Sequence, residues 1–135
     1  MCDPCPECGA SCCKEKFESM LALEFEDPKV FGAVHHVTVI CYNLQHPAAF
    51  SDEAVAWMRS TLRAIVEEGL TPAELRERSQ KQFKGRVNVL SKTPKTSAHV
   101  EWSMTVADIR TDDPEVYVQD IMTWAKSILR DLENA

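Results

Sequence analysis

Five of the six cysteines in this 135-residue chain fall within its first thirteen residues, at Cys2, Cys5, Cys8, Cys12 and Cys13. In Cys5-Pro6-Glu7-Cys8-Gly9 two thiolates stand two residues apart, and the glycine after the second lets the backbone curl so that both sulfurs face one point. This is half of a tetrahedral zinc shell. The other half has to come from elsewhere in the chain, so the fold must bring a distant segment back to its own N-terminus.

With 44% hydrophobic residues, the length suits one domain spanning 1–135 with a core of its own. A metal would assist such a fold rather than replace its core. The formal net charge of −6 argues against nucleic acid or an anionic membrane surface as a partner. No segment approaches the roughly 18 apolar residues of a membrane span, and the N-terminus lacks the basic region and apolar run of a secretory signal. The expected location is therefore cytoplasmic, where clustered cysteines stay reduced and bind metal or do redox work. Cys41, inside the apolar run 37–44, reads as a small buried hydrophobe.

Hydrophobic periodicity predicts a mainly α, single-domain bundle of about five helices, with residues 1–13 as a zinc-knuckle-like flap. Phe17, Met20, Leu21, Leu23 and Phe25 recur at helical spacing, giving a first helix over about 12–26 that Asp27-Pro28 should stop. The run 30–45 is apolar nearly all round. Its β-branched residues permit a strand, yet sixteen unbroken residues favour a buried second helix ending at His46-Pro47. Ser51 caps a third helix that turns Val55, Met58, Leu62, Ile65 and Val66 inward and stops at Gly69. Thr71-Pro72-Ala73-Glu74 is a capping box opening a charged surface helix to about Gln82. Residues 84–100 read as a long basic loop or small hairpin, with 86–90 the strand-like piece. Thr105-Val106-Ala107-Asp108 reads as another capped short helix. Asp113-Pro114-Glu115 opens a last helix whose stripe runs through Val118, Ile121, Met122, Ala125, Ile128, Leu129 and Leu132.

If the first two helices form an antiparallel hairpin, their lengths decide what meets at its open end. At about 1.5 Å per residue the chain descends roughly 20 Å from Cys13 to Glu26 and climbs roughly 25 Å from Lys29 to His46. His46 then ends level with Cys13 or about one turn above it. Cys5, Cys8, Cys13 and His46 thus become the candidate zinc ligands, with Cys12 competing for the third place. The alternative for His46 is a helix-end histidine bonded to backbone carbonyls. His35, eleven residues earlier, shares a face with Val39, Tyr42 and His46 but lies about 16 Å from His46 along the axis, too far to bind the same ion. It is either a core histidine with a hydrogen-bond partner or part of a pocket with Tyr42, joined by His99 or Trp102. His36 is expected to be exposed or at an edge. Residues 76–100 carry seven basic residues (Arg76, Arg78, Lys81, Lys84, Arg86, Lys92 and Lys95) against one acidic, a net of +6 beside −12 for the rest. This stretch is either a solvated loop or a seat for an anionic group.

These residues carry a family resemblance. With Cys5-Pro6-Glu7-Cys8-Gly9, Cys13, the stretch from Leu21 to Pro28 (LALEFEDP) and Val34-His35-His36-Val37-Thr38-Val39, the chain resembles the uncharacterised bacterial domain-of-unknown-function 5946 family. Tyr42-Asn43-Leu44-Gln45-His46-Pro47, Thr105-Val106-Ala107-Asp108 and Trp124-Ala125 fit as well. The resemblance implies that Cys5, Cys8, Cys13, His35 and His46 occupy motif positions, which favours Cys13 over Cys12. It implies no activity. The chain departs from it with Ile40 where an acidic residue is expected and His36 where arginine is frequent, and a missing acid beside His35 weakens any acid/base role.

The expected function is that of a small zinc-binding helical protein with a structural metal, binding an unidentified protein partner or small ligand, with no nucleic acid and no membrane. One alternative is a zinc hydrolase with an open coordination position. Another is a redox sensor that releases zinc when Cys5 or Cys8 oxidises, with Cys2 and Cys12 as resolving thiols.

Overall fold

The computed structural model describes residues 2–82 and 100–134. Its helices are α1 (Cys13–Glu26), α2 (Pro28–Gln45), α3 (Asp52–Glu68), α4 (Pro72–Gln82) and α5 (Pro114–Glu133), with short 3-10 turns at Pro47–Ala49 and Val106–Asp108. There is no strand among the described residues, and the expected strand-like piece at 86–90 lies outside them. None of these helices is long and apolar enough to cross a membrane.

The helix ends follow local chemistry. Asp27 accepts a hydrogen bond from the Val30 amide and Pro28 takes the first helical position, so the Asp-Pro pair that stops α1 also starts α2. The second helix therefore opens at Pro28, two residues before the predicted start, and only Asp27 separates the two helices. Ser51 caps α3 through the Ala54 amide, and Gly69 closes it in the left-handed region at φ 70°, where glycine has no Cβ penalty. Thr71 and Glu74 form the reciprocal box at the head of α4. Asp113 caps α5, and Arg110 clasps Asp120 with two of its guanidinium nitrogens, Nε and Nη2, and its own backbone amide.

Helix α2 is the hub, packed against α1, α3 and α5. Its contacts with α1 run antiparallel: Phe25 lies against His35, Phe17 stacks on Tyr42, and Cys13 reaches His46. From α5, Tyr117, Ile121, Trp124 and Ile128 are fully buried, with Tyr117 edge-on to Phe31 at 5.1 Å. The inward stripe of α5 is thus centred on two aromatic residues that the aliphatic periodicity left out. Val118, Met122 and Leu132 lie only half-buried at its margin. Cys41 is fully buried, as a small core residue.

In α1 the structure reverses one expectation. Phe25 is 69% exposed, while its acidic neighbour Glu24 is 2% exposed. Three donors draw the carboxylate inward: His35 Nδ1 at 2.7 Å, the Thr38 hydroxyl at 2.6 Å and the Tyr117 hydroxyl at 2.5 Å. A buried carboxylate without partners is costly by several kcal/mol, and these three offset that cost while tying α1, α2 and α5 at one point. Burial, together with the neighbouring Glu24, pushes the Tyr117 phenol far above its usual range, so it remains protonated and donating. The acidic group that Ile40 fails to supply beside His35 thus comes from α1.

Tyr117→Phe removes one donor from that charge without changing ring packing. We expect a loss of about 1.5–3 kcal/mol in urea-unfolding stability. A loss below about 0.5 kcal/mol would mean that Glu24 does not depend on this contact.

Candidate metal centre

The N-terminal segment folds back on itself through Gly9. At φ 83° this glycine takes the left-handed conformation, which lets the chain turn immediately after Cys8. The Gly9 amide donates to the Cys5 carbonyl at 2.9 Å and the Cys5 amide to the Ala10 carbonyl at 3.0 Å, with Pro4 and Ser11 bridged one step further out. At the open end of this turn Cys2 and Cys12 are joined by a disulfide, their Cα atoms 5.2 Å apart. For Cys2 and Cys12 this corrects the expectation that the clustered thiols stay reduced, while Cys5, Cys8 and Cys13 are free, and it removes Cys12 from competition for the third ligand place. Glu15 lies close enough to Cys2 and Cys12 to complete a second ion-holding group, but sulfurs bonded to each other offer no thiolate. Cys12 sits at φ 55°, a conformation that costs a side-chain-bearing residue roughly 1–2 kcal/mol. The turn aims the following residue, Cys13, at the cluster.

Cys5, Cys8, Cys13 and His46 have their donor atoms within 4.8 Å of one another and could hold a metal ion. A tetrahedral shell with metal–sulfur distances near 2.3 Å sets its donors roughly 3.5–3.8 Å apart, and Cys13 Sγ already lies 3.5 Å from His46 Nε2. The imidazole is oriented by its other nitrogen. Nδ1 lies 2.7 Å from the Tyr42 carbonyl, and a carbonyl can only accept, so Nδ1 carries the hydrogen and the Nε2 lone pair faces the sulfurs. The backbone-bonded histidine and the candidate ligand, set out as alternatives from sequence, are one arrangement using the two nitrogens. Tyr42 is sandwiched between Phe17 and His46, with centroids 3.9 and 4.0 Å away, and its hydroxyl is 4.0 Å from Cys13 Sγ.

The loop is held from outside by Glu7, the residue between the paired cysteines. Its carboxylate accepts from the Ala48 amide, and its carbonyl accepts from Trp102 Nε1. Sequence reasoning missed this role, although Glu7 stands inside the motif, because its partners lie 41 and 95 residues away. Trp102 accordingly serves the N-terminal loop and not His35. The suggested His35–Tyr42 pocket is divided as well: His35 joins Glu24 while Tyr42 joins the sulfur cluster. They sit seven residues apart, about two turns of α2. His99 lies outside the described residues, as do Lys84, Arg86, Lys92 and Lys95, while Arg76 and Arg78 are exposed on α4. His36 is half-buried, and that burial lowers its imidazole pKa.

Burial also governs the thiols. It pushes Cys8 up to about 12, an effect that its hydrogen bond with the Ala10 backbone only partly opposes and that the nearby Cys13 and Cys5 reinforce. Burial likewise raises Cys13, helped by a hydrogen bond with Cys5. At Cys5 burial acts upward too, but hydrogen bonds from the Cys8 and Glu7 backbone and from the Cys8 and Cys13 thiols turn the net shift downward. Without a cation the cluster therefore keeps its protons on Cys8 and Cys13, and a divalent ion must displace them. Affinity should fall as pH falls, by about tenfold per pH unit for each proton the ion displaces. Competition against a chromophoric chelator at two pH values around neutrality checks this, and a pH-independent affinity would show that the thiols do not ligate.

No curated protein and no solved structure matches the chain. The model of one protein family, a family of unknown function (DUF5946), matches residues 3–133, and with nearly its whole length covered the chain belongs to that family.

Proposed function

We propose that Cys5, Cys8, Cys13 and His46 hold one zinc ion as a structural clamp, in a protein whose role is to bind a partner or a small ligand. The observation that carries this reading is the orientation of His46: with Nδ1 donating to the Tyr42 carbonyl, Nε2 is the bare acceptor, 3.5 Å from Cys13 Sγ. Three thiolates and one imidazole are a usual composition for closed zinc sites. Two of the donors are buried, Cys8 at 7% and Cys13 at 9% exposure, while Cys5 and His46 are half-buried. Four protein ligands leave no place for the reactive water of a zinc hydrolase. A hydrolase would require Cys13 or His46 to stand apart from the shell, and their mutual approach speaks against it. The redox-sensor reading needs Cys2 and Cys12 as free resolving thiols, whereas they are spent on each other.

As a clamp the ion would join the N-terminal loop and the head of α1 to the end of α2, closing the hairpin opposite the Asp27 turn. Protein purified without a metal-affinity tag should contain one zinc per chain by elemental analysis, and zinc-edge X-ray absorption should give about three sulfurs and one nitrogen. An oxygen replacing a protein ligand would turn the reading to the hydrolase, and absence of metal would overturn it. Cys8→Ser should lose stoichiometric zinc and lower the melting temperature by about 5–10 °C, because ligand loss is coupled to folding.

A further inference from the structure

A cavity of about 260 Å³ opens beside the candidate metal loop, between that loop, the end of α2, the first half of α3 and Trp102. Most of its wall is apolar, from residues such as Leu44, Val55 and Leu132. Three polar side chains share it: Glu7, Gln45 and Arg59.

Each of the three has unused capacity. Arg59 makes no hydrogen bond or ion pair among the described residues. Gln45 is 1% exposed, its Nε2 donates to the Met104 carbonyl at 2.8 Å, and its Oε1 is buried without a donor. A buried acceptor left unpaired costs roughly 1–3 kcal/mol, and this one has under 1 Å² of accessible surface, so it lies behind the cavity wall. Glu7 commits one carboxylate oxygen, Oε2, to the Ala48 amide at 3.1 Å.

We infer that this cavity is a binding site for a free apolar α-amino acid. Arg59 takes the carboxylate. The ammonium pairs with the Glu7 carboxylate, whose second oxygen is uncommitted, while the side chain fills the apolar wall. A simple carboxylic acid would leave Glu7 without a counterpart, and a simple amine would leave Arg59 without one. The volume lies just below the usual range for drug-sized ligands, which suits one amino acid and excludes a peptide. This deepens the proposed binding role and rests on it, since Glu7 stands between two of the candidate zinc ligands and the clamp would keep that wall in place.

The test is titration of the full chain, its zinc content measured in the same sample, with L-phenylalanine and L-leucine by calorimetry and NMR. N-acetyl-phenylalanine and phenylalaninamide serve as probes lacking the ammonium and the carboxylate. The expected Kd for at least one amino acid is about 0.1–1 mM, with each derivative at least about tenfold weaker. Arg59→Ala, a partly exposed position that leaves no partner behind, should weaken the amino acid by about tenfold and leave the amide unaffected. Val55→Trp, which fills the cavity, should abolish binding of both. The inference is overturned by derivatives that bind as well as the parents, by an Arg59→Ala protein that binds unchanged, or by no saturable binding up to about 10 mM. If zinc is present and nothing binds, the cavity inference falls and the clamp stands. If binding persists unchanged in protein that carries no zinc, the clamp falls and the cavity stands.

Discussion

The carboxylate of Glu24 is the point from which the helical arrangement can be understood. It is buried between three helices, and each holds it: α1 carries it, α2 meets it with His35 and Thr38, and α5 reaches it with Tyr117. Apolar contacts alone tolerate sliding and rotation of one helix on another. A buried charge does not, because any displacement that lengthens one of these bonds exposes the desolvation cost of the carboxylate. This node therefore sets the rotation of α1 about its own axis, which turns Met20 into the core and leaves Phe25 outside. It also sets the register of α1 on α2, and with it what arrives at the far end of the hairpin.

At that far end the cysteines divide their labour. Cys2 and Cys12 close the N-terminal turn covalently, while Cys5, Cys8 and Cys13 converge on His46. The division follows from the left-handed backbone at Cys12, which sends adjacent side chains to different places. The same backbone strain is a local cost that the surrounding contacts must hold. Several of them do so at once: the disulfide, the Glu7 contacts to Ala48 and Trp102, and the packing of Phe17, Tyr42 and His46. The loop is thus ordered from both sides of the chain, by the turn after α2 and by the segment that leads into α5.

Much of the local structure was legible in the residues because its causes are local. Ser51, Gly69, Thr71 with Glu74, and Asp113 with Pro114 mark helix ends through bonds that span three or four residues. The paired cysteines and Gly9 announce their turn in the same way. The place of His46 was reachable by arithmetic, since two helices joined through one residue return to nearly the same height at 1.5 Å per residue. The start of α2 was less legible, because an aspartate before a proline ends one helix and caps the next with the same two residues.

What the sequence determined by itself, then, was the set of helices, their caps and the chemistry of the N-terminal turn, because dihedral preference and capping act between neighbours in the chain. Only the tertiary structure decided that Glu24 turns inward while Phe25 faces water, that Cys13 and not Cys12 meets His46, and that Trp102 reaches Glu7. It also decided that Gln45 and Arg59 share a cavity with the metal loop. The reason is physical. A periodic pattern ranks residues by hydrophobicity, but whether a charged residue is buried depends on donors that arrive from other helices, and for Glu24 the decisive one comes from 93 residues away.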